Sequence, residues 1–383
     1  MRNFSTYIFS ILFFSALSSC SEVNEEIESS HDFVIPFDLA KPLVLEDFVS
    51  AQSYVLLSTE TEALYSQADK LIAAHGKFYL FDHLGNSGVL VFDGAGNFLQ
   101  KIGEFGEGPT QLRGITDFQV SENGEIQVLD KQLGSIITYS AEGVWKEKME
   151  IPFNIGDFLQ WKNKWFFALD RFSQNEEQFS DHKLAVLEAN METDSLYFHY
   201  ATDSENANIY YHAGLLSTAD HQLIYHRPPD DTIRVFDRKG TLSNTVVIDF
   251  AENTLPLAAV NDFLKMQEYK QQEVDFRYLQ TPALMVSNKL LGLISSSKNQ
   301  IWTYIIDLNS RSLYTQKINL SQLHVKDVII PSATMGDTAI VSMIDPMTFS
   351  QDAFPGKYPA HVAAHLENEG TVLLINQLKN QNK

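Results

Sequence analysis

Four aspartates, Asp82, Asp130, Asp170 and Asp345, each end a short apolar run at matching places along this chain, and His226 and Ser295 hold the equivalent places of two further runs. Brought together, such groups could make a polar ring at the mouth of a channel. Their neighbours His83, Lys131, Arg171 and Arg227 add positive charge, which is scarce in so acidic a sequence. A guanidinium at Arg113 could clamp a carboxylate or a sulfate through paired N–H donors. The ligand-facing candidates are therefore His83, Arg113, Lys131, Arg171, His226 and Arg227. Each has a competing use. Aspartates in turns bond nearby backbone N–H groups, and Arg113 can pair with a neighbouring carboxylate.

Other chemistry is sparse. His361 and His365 are four apart and would share a helix face, as two zinc ligands can. No glutamate lies between them and no third ligand is evident, so a solvated short helix is expected and no metal. His31, His75, His182, His199, His212 and His221 form no constellation. There is no Gly-x-Ser-x-Gly elbow, no phosphate-binding loop and no Asp-x-Asp-x-Asp-Gly calcium loop. Gly103, Gly106 and Gly108 follow a strand but open another strand, which is poor ground for a dinucleotide site. No catalytic residue and no cofactor is expected.

The elements that would position these residues are strands. Period-2 alternation recurs in Lys77–Asp82, Val89–Asp93 and Phe98–Ile102, and again in Glu125–Asp130, Ser135–Tyr139 and Val144–Met149. Trp165–Asp170 with Lys183–Leu187, and Leu223–His226 with Thr232–Asp237, continue the pattern. The equivalent residues Phe92, Tyr139, Leu187 and Phe236 are spaced by 47, 48 and 49. A repeat of about 40 to 50 residues made of four short strands is the signature of propeller blades. Lys289–Ser295 with Ile301–Asp307, and Thr338–Asp345 with Thr371–Leu378, make a fifth and a sixth unit at wider spacing.

The wider spacing has local causes. Leu257–Tyr278 reads as a polar-faced helix between blades four and five, and Pro346–Glu369 as an insertion in blade six. Phe349, Phe354, Tyr358 and Pro359 in that insertion suit either ligand stacking or packing onto the blades. Blade six runs out after its third strand, and Gln52–Leu57 is available to pair there and remove the exposed edge. The expected fold is all-β: a six-bladed β-propeller with the N-terminal strand closing the last blade and one helical insertion.

The chain has 28 Lys+Arg against 49 Asp+Glu, so nucleic acid is a poor partner. Met1-Arg2-Asn3 is a short basic start, and Tyr7–Leu17 is apolar apart from two serines, too short to span a bilayer. Leu17-Ser18-Ser19-Cys20 resembles a bacterial lipobox, in which the cysteine thiol takes a diacylglycerol and the chain is cut just before it. Cys20 is the only cysteine, which excludes an internal disulfide. Loss of residues 1–19 takes away Arg2 alone and moves the net charge from −21 to −22. The expected organisation is a signal peptide over 1–19, a lipidated acidic tether over 20–42, a propeller over 43–378 and a tail over 379–383. The acid-rich residues after Cys20 are similar to surface-export signals of some Gram-negative lipoproteins.

The stretch Ile102-Gly103-Glu104-Phe105-Gly106-Glu107-Gly108-Pro109-Thr110-Gln111-Leu112, leading into Ile115–Phe118, resembles the Gly-rich junction of the six-bladed β-propeller lipoproteins related to NHL-repeat proteins. That family usually has Gly-Pro-Gly-Glu and then an aromatic. Here Thr110-Gln111-Leu112 follows Gly108-Pro109, which puts in doubt any role tied to that glutamate. The resemblance implies a propeller at the cell envelope of a Gram-negative bacterium, on the outer membrane. The expected role is a non-catalytic binding or scaffold module, held to the membrane by its lipid, for a glycan, a peptide or an envelope protein. The alternative is a lyase or hydrolase with an axial His, Asp and Arg site, with or without a metal.

Overall fold

Apolar runs of five to eight residues between Gly, Asn and Asp turns favour strands over helices. The computed structural model of the protein describes residues 24–25, 33–82, 88–170, 177–200, 214–219, 221–260, 262–319, 325–345 and 358–379. After a two-residue strand at Asn24–Glu25 come three strands, β1 (Phe33–Pro36), β2 (Lys41–Pro42) and β3 (Val49–Leu56). Antiparallel meanders follow. One is β4 (Lys70–Ala74), β5 (Lys77–Phe81), β6 (Val89–Asp93) and β7 (Phe98–Ile102). The next is β8 (Ile115–Val120), β9 (Ile126–Asp130), β10 (Ser135–Tyr139) and β11 (Trp145–Glu150). Then come β12 (Ile155–Trp161), β13 (Lys164–Leu169), β14 (His182–Glu188) and β15 (Thr193–His199). They are followed by β16 (Leu216–Ala219), β17 (Gln222–Tyr225), β18 (Thr232–Phe236) and β19 (Leu242–Asp249).

Further along, β20 (Arg277–Leu279) and β21 (Leu284–Val286) both pair with β22 (Lys289–Ser296), which leads to β23 (Ile301–Asp307) and β24 (Ser312–Ile318). The last group is β25 (Ala333–Met335), β26 (Ala339–Ile344) and β27 (Val372–Leu378). The N-terminal β3 adds to it, pairing antiparallel with β27 from Leu56 opposite Val372 to Val49 opposite Leu378. The first strands β4, β8, β12, β16, β21 and β25 adjoin in that order, and β25 returns to β4 through one parallel bridge, Met335 to Ala73. The fold is mostly β and propeller-like, with its first strands around an axis.

The middle strands are covered on both faces, so their sequences are continuous apolar runs. Leu80, Leu90 and Phe92 face the cluster shared with β25–β27, whereas Tyr79, Phe81, Val89 and Val91 face Phe118, Val128 and Ile137 of the next meander. Alternate residues therefore serve two different interfaces, and a one-residue slip would exchange them. Each such side chain contributes about 1.5–3 kcal/mol on burial.

The third-to-fourth strand turns repeat a local device. Asp93 Oδ1 accepts from the Ala95 and Asn97 amides at 2.9 Å each, and Asp237 Oδ1 accepts from Lys239 and Thr241 at 2.8 and 3.1 Å. The residue before the last of each turn is left-handed, Gly96 at φ 91° and Gly240 at φ 78°.

Residues 33–42, expected in the tether, pack against the meanders. β1 runs parallel to β19 and β2 parallel to β24, along the outer edges of two meanders. Ile35 is buried, and the Phe37 ring lies 5.5 Å from Phe250 and 5.8 Å from Trp302. Enough apolar surface is buried to fix the chain from Phe33 onward and to cover those edges. Upstream, Asn24–Glu25 pairs in parallel with Ser195–Leu196.

Both insertions also differ from expectation. Between β19 and β20 there are two helices, α1 (Leu257–Val260) and α2 (Phe263–Gln271), and Tyr278 belongs to a strand. Asp262 breaks the run because its side chain caps α2, accepting from the Lys265 amide at 3.1 Å. In the later insertion, α3 (Ala360–Glu367) buries Val362, Ala363 and Leu366, so it is a packed helix with one solvated face.

Candidate functional site

The first strands enclose a cavity of about 840 Å³ on the axis, within the range of small-molecule sites. Lys70, Gln119 and Leu216 line it, together with small residues such as Ala74, Ser217 and Ala333. An apolar cleft of Val55, Met335, Met343 and Ile375 extends it between the last and first sheets. A second cavity of about 650 Å³ lies beside Tyr65, Asp345 and Glu369.

Behind the axial wall is a charged cluster that the sequence reading missed. Lys70 Nζ lies 2.7 Å from Asp117 Oδ1, with that carboxyl fully buried. Lys70 also reaches across the axis, where a Cβ on Gly214 would sit 3.9 Å from its Cε. Asp157, also fully buried, accepts from Gln119 Nε2 at 3.4 Å and from the Leu216 amide at 3.2 Å. Burial and the neighbouring Asp157 charge push the Asp117 carboxyl well above the usual carboxylate range, with Lys70 opposing them. The available signal was a charge inside an otherwise apolar first strand, repeated as Asp117-Phe118 and Asp157-Phe158.

A second cluster gathers cations on an acidic protein. Lys131 Nζ lies 2.5 Å from Asp170 Oδ2, and an Arg227 Nη lies 3.8 Å from Asp170 Oδ1. Arg227 also donates to the Leu169 carbonyl at 2.8 Å and to the Tyr225 hydroxyl at 3.2 Å. Next to it, Asp230 Oδ2 is 3.2 Å from Arg234 and 4.0 Å from Lys183. Burial works against the Asp230 charge, but Arg234 and Lys183 outweigh it and hold the carboxyl down to about 2. Beside it, burial and the Asp230 charge push Asp231 up to about 6. Lys183 and Arg234 were missed because each lies within an apolar strand, where a charge is easily read as noise.

The sequence candidates separate clearly. Lys131 and Arg227 come together at Asp170, from different meanders. Arg113 is exposed, and among the described residues only its backbone amide is engaged, donating to Asp130 Oδ2 at 2.6 Å. His226 is fully buried and has no nitrogen left for a ligand: Nδ1 accepts from the Ala283 amide at 3.0 Å and Nε2 donates to the Asp230 carbonyl at 2.9 Å. Burial pushes its imidazole down to about 4, which fits the neutral form these bonds need. Cys20, His83 and Arg171 lie outside the described residues.

Two of the strand-end aspartates bond residues of their own meanders. Asp82 accepts from the Ser66 amide and hydroxyl at 2.7 and 2.8 Å, and Asp130 from the Arg113, Gly114 and Leu133 amides. Most of these amides belong to the segment entering the same meander. The glycine-rich junction folds around its own side chain, with Gln111 Oε1 accepting from the Gly108 amide at 2.8 Å. His361 is exposed, whereas His365 packs against Gly370. Among the described residues no three His, Cys, Asp or Glu side chains gather as metal ligands.

Comparisons with other proteins give the architecture and not an activity. No curated protein matches the sequence. A protein from Bacteroides fragilis described as exported is similar in structure, with a TM-score of 0.73 at 16% identity, covering 91% of this chain and 100% of its own. A member of the DUF4221 family from Bacteroides vulgatus has a TM-score of 0.55 at 11% identity, covering 86% and 97%. At these identities the likeness shows the fold alone. The pattern of one family, described as Domain of unknown function (DUF4934), matches residues 32–364, and this chain belongs to that family.

Proposed function

We propose that the chain is a lipoprotein of the cell envelope, anchored to the outer membrane through Cys20, whose meanders are the six blades of a propeller closed by β3. In this reading it is a non-catalytic binding module for a glycan, a peptide or an envelope protein, and its site is the axial cavity. The cavity of about 840 Å³ among the first strands is the observation that carries the reading. The cation-rich wall at Lys131 and Arg227 is the second place where a polar ligand would meet the protein. The exported description of the Bacteroides fragilis neighbour agrees with an envelope location. No helix among the described residues is long and apolar enough to cross a membrane.

A buried carboxyl pair on the axis would be the starting point for an acid–base enzyme. Asp117 and Asp157 are both fully buried, behind the Lys70 and Gln119 side chains that line the cavity. A group that cannot reach a substrate does not transfer a proton to it, so binding is the better reading.

The test has two arms. Cys20→Ala should move the protein from the membrane to the soluble fraction; if the variant stays membrane-bound, the anchor is wrong. Thermal-shift and calorimetric titration with oligosaccharide and peptide panels should find a ligand whose binding is lost in Ser217→Trp, which fills the cavity. Binding unaffected by that substitution would reject the axial site.

A further inference from the structure

We propose that Asp117 keeps a proton at neutral pH and donates it in a hydrogen bond to Asp157, and that this bond makes a pH-sensitive clasp across four meanders at the axis. The cluster takes Lys70 from β4, Asp117 and Gln119 from β8, Asp157 from β12 and the Leu216 amide from β16. Among the described residues, the charged groups facing Asp117 are Lys70 and Asp157. Beside them stand the neutral Gln119 side chain and the Phe118 ring, 5.6 Å from the Lys70 ammonium.

The hydrogen-bond count assigns the proton. Asp117 Oδ1 accepts from Lys70, but Asp117 Oδ2 is buried with no donor in reach among the described residues. Both Asp157 oxygens already face donors, Gln119 Nε2 and the Leu216 amide. Asp157 is therefore the acceptor, and a proton on Asp117 Oδ2 turns a carboxylate–carboxylate contact into a hydrogen bond. The cluster then holds one ammonium, one carboxylate and one neutral acid, with no net charge in a buried place. Losing the proton leaves two buried carboxylates against one ammonium.

A carboxyl raised in the folded state contributes stability that is full below its unfolded value and lost as pH rises through its folded value. The clasp therefore loosens toward alkaline pH. Lys70, Gln119 and Leu216 line the cavity, so alkaline loosening reaches the cavity wall first.

The decisive experiment follows the thermal unfolding midpoint of the full mature chain from about pH 5 to about pH 9. In Asp117→Asn the amide oxygen still accepts from Lys70 and the amide nitrogen donates where the acid proton did. Its midpoint should fall less steeply with pH and exceed that of the unaltered protein by about 2–4 °C at the alkaline end. Asp157→Asn sets an amide donor against two existing donors and should lower the midpoint at every pH. If Asp117→Asn lowers the midpoint throughout as much as Asp157→Asn, both groups are ionised and the proposal fails. Infrared spectroscopy of the unaltered protein gives an answer that needs no variant. A carboxylic-acid C=O band that shifts in D₂O and disappears on alkaline titration should be present at neutral pH, and its absence overturns the proposal.

Discussion

Among the described residues, Asp117 and Asp157 on the axis have one cation between them, Lys70, whereas Asp170 and Asp230 on the wall have four, Lys131, Arg227, Lys183 and Arg234. The same residue type meets opposite conditions a few strands apart. Where cations are short, burial and the neighbouring carboxylate raise the carboxyl, and the proposed proton would fill the deficit. Where cations are in excess, the carboxyl is held ionised even though it is buried. The contrast suggests two uses of charge: the axial cluster ties the meanders together, and in the proposed reading the wall's cations are what a ligand would meet.

The sharpest way to break this contrast is Asp230→Ala. Arg234 and Lys183 would remain in a largely buried site without their carboxylate. Removing one partner of a buried pair costs about 3–5 kcal/mol. Urea unfolding should show a loss of that order. A loss near zero would mean that the wall cations are solvated and that the two clusters do not differ in kind.

His226 tests the wall from the pH side. Burial holds its imidazole down to about 4, below the ordinary histidine value of 6.5. A depressed histidine contributes stability that is full above its unfolded value and lost as pH falls toward its folded value. The loss should amount to about 3 kcal/mol between those limits. It runs opposite to the axial clasp, which weakens as pH rises. His226→Ala should remove the acid dependence, at the cost of an unpaired Ala283 amide and Asp230 carbonyl. An unchanged acid limb of the stability profile in that variant would show that another group is responsible.

Much of this architecture is legible in the residues, and the losses have physical causes. The 47-to-49-residue spacing of Phe92, Tyr139, Leu187 and Phe236 marks the third strands because middle strands are apolar on both faces. The pairing of Gln52–Leu57 onto the last strand is legible because that group otherwise runs one strand short. The edge-covering role of Phe33–Pro42 is not, since two short segments with one buried isoleucine have no period to read. The wall was half legible. Lys131 and Arg227 stand out beside strand ends, while Lys183 and Arg234 are hidden inside apolar runs. His226 misleads for the same reason that it is informative: a histidine at a strand end reads as a ligand group, and only its two backbone partners show that it is a bracket.

The smallest expected stability change is at Lys131, and it sharpens the contrast most finely. Its side chain is 39% exposed, and its partner Asp170 also faces Arg227. Solvent screening and the remaining guanidinium limit the cost of Lys131→Ala to about 0–1 kcal/mol. The same substitution removes the most exposed cation of the wall, so binding of an anionic ligand there should weaken about tenfold, the equivalent of about 1.4 kcal/mol. Lys70→Ala should behave the other way, since its ammonium is almost entirely buried against Asp117. It should destabilise the fold strongly, most of all at alkaline pH, where no proton replaces the missing cation. Unfolding and ligand titration on the two variants together decide the matter. If Lys131→Ala costs as much stability as Lys70→Ala, the wall is a structural brace like the axis and its cations are not in reserve for a ligand.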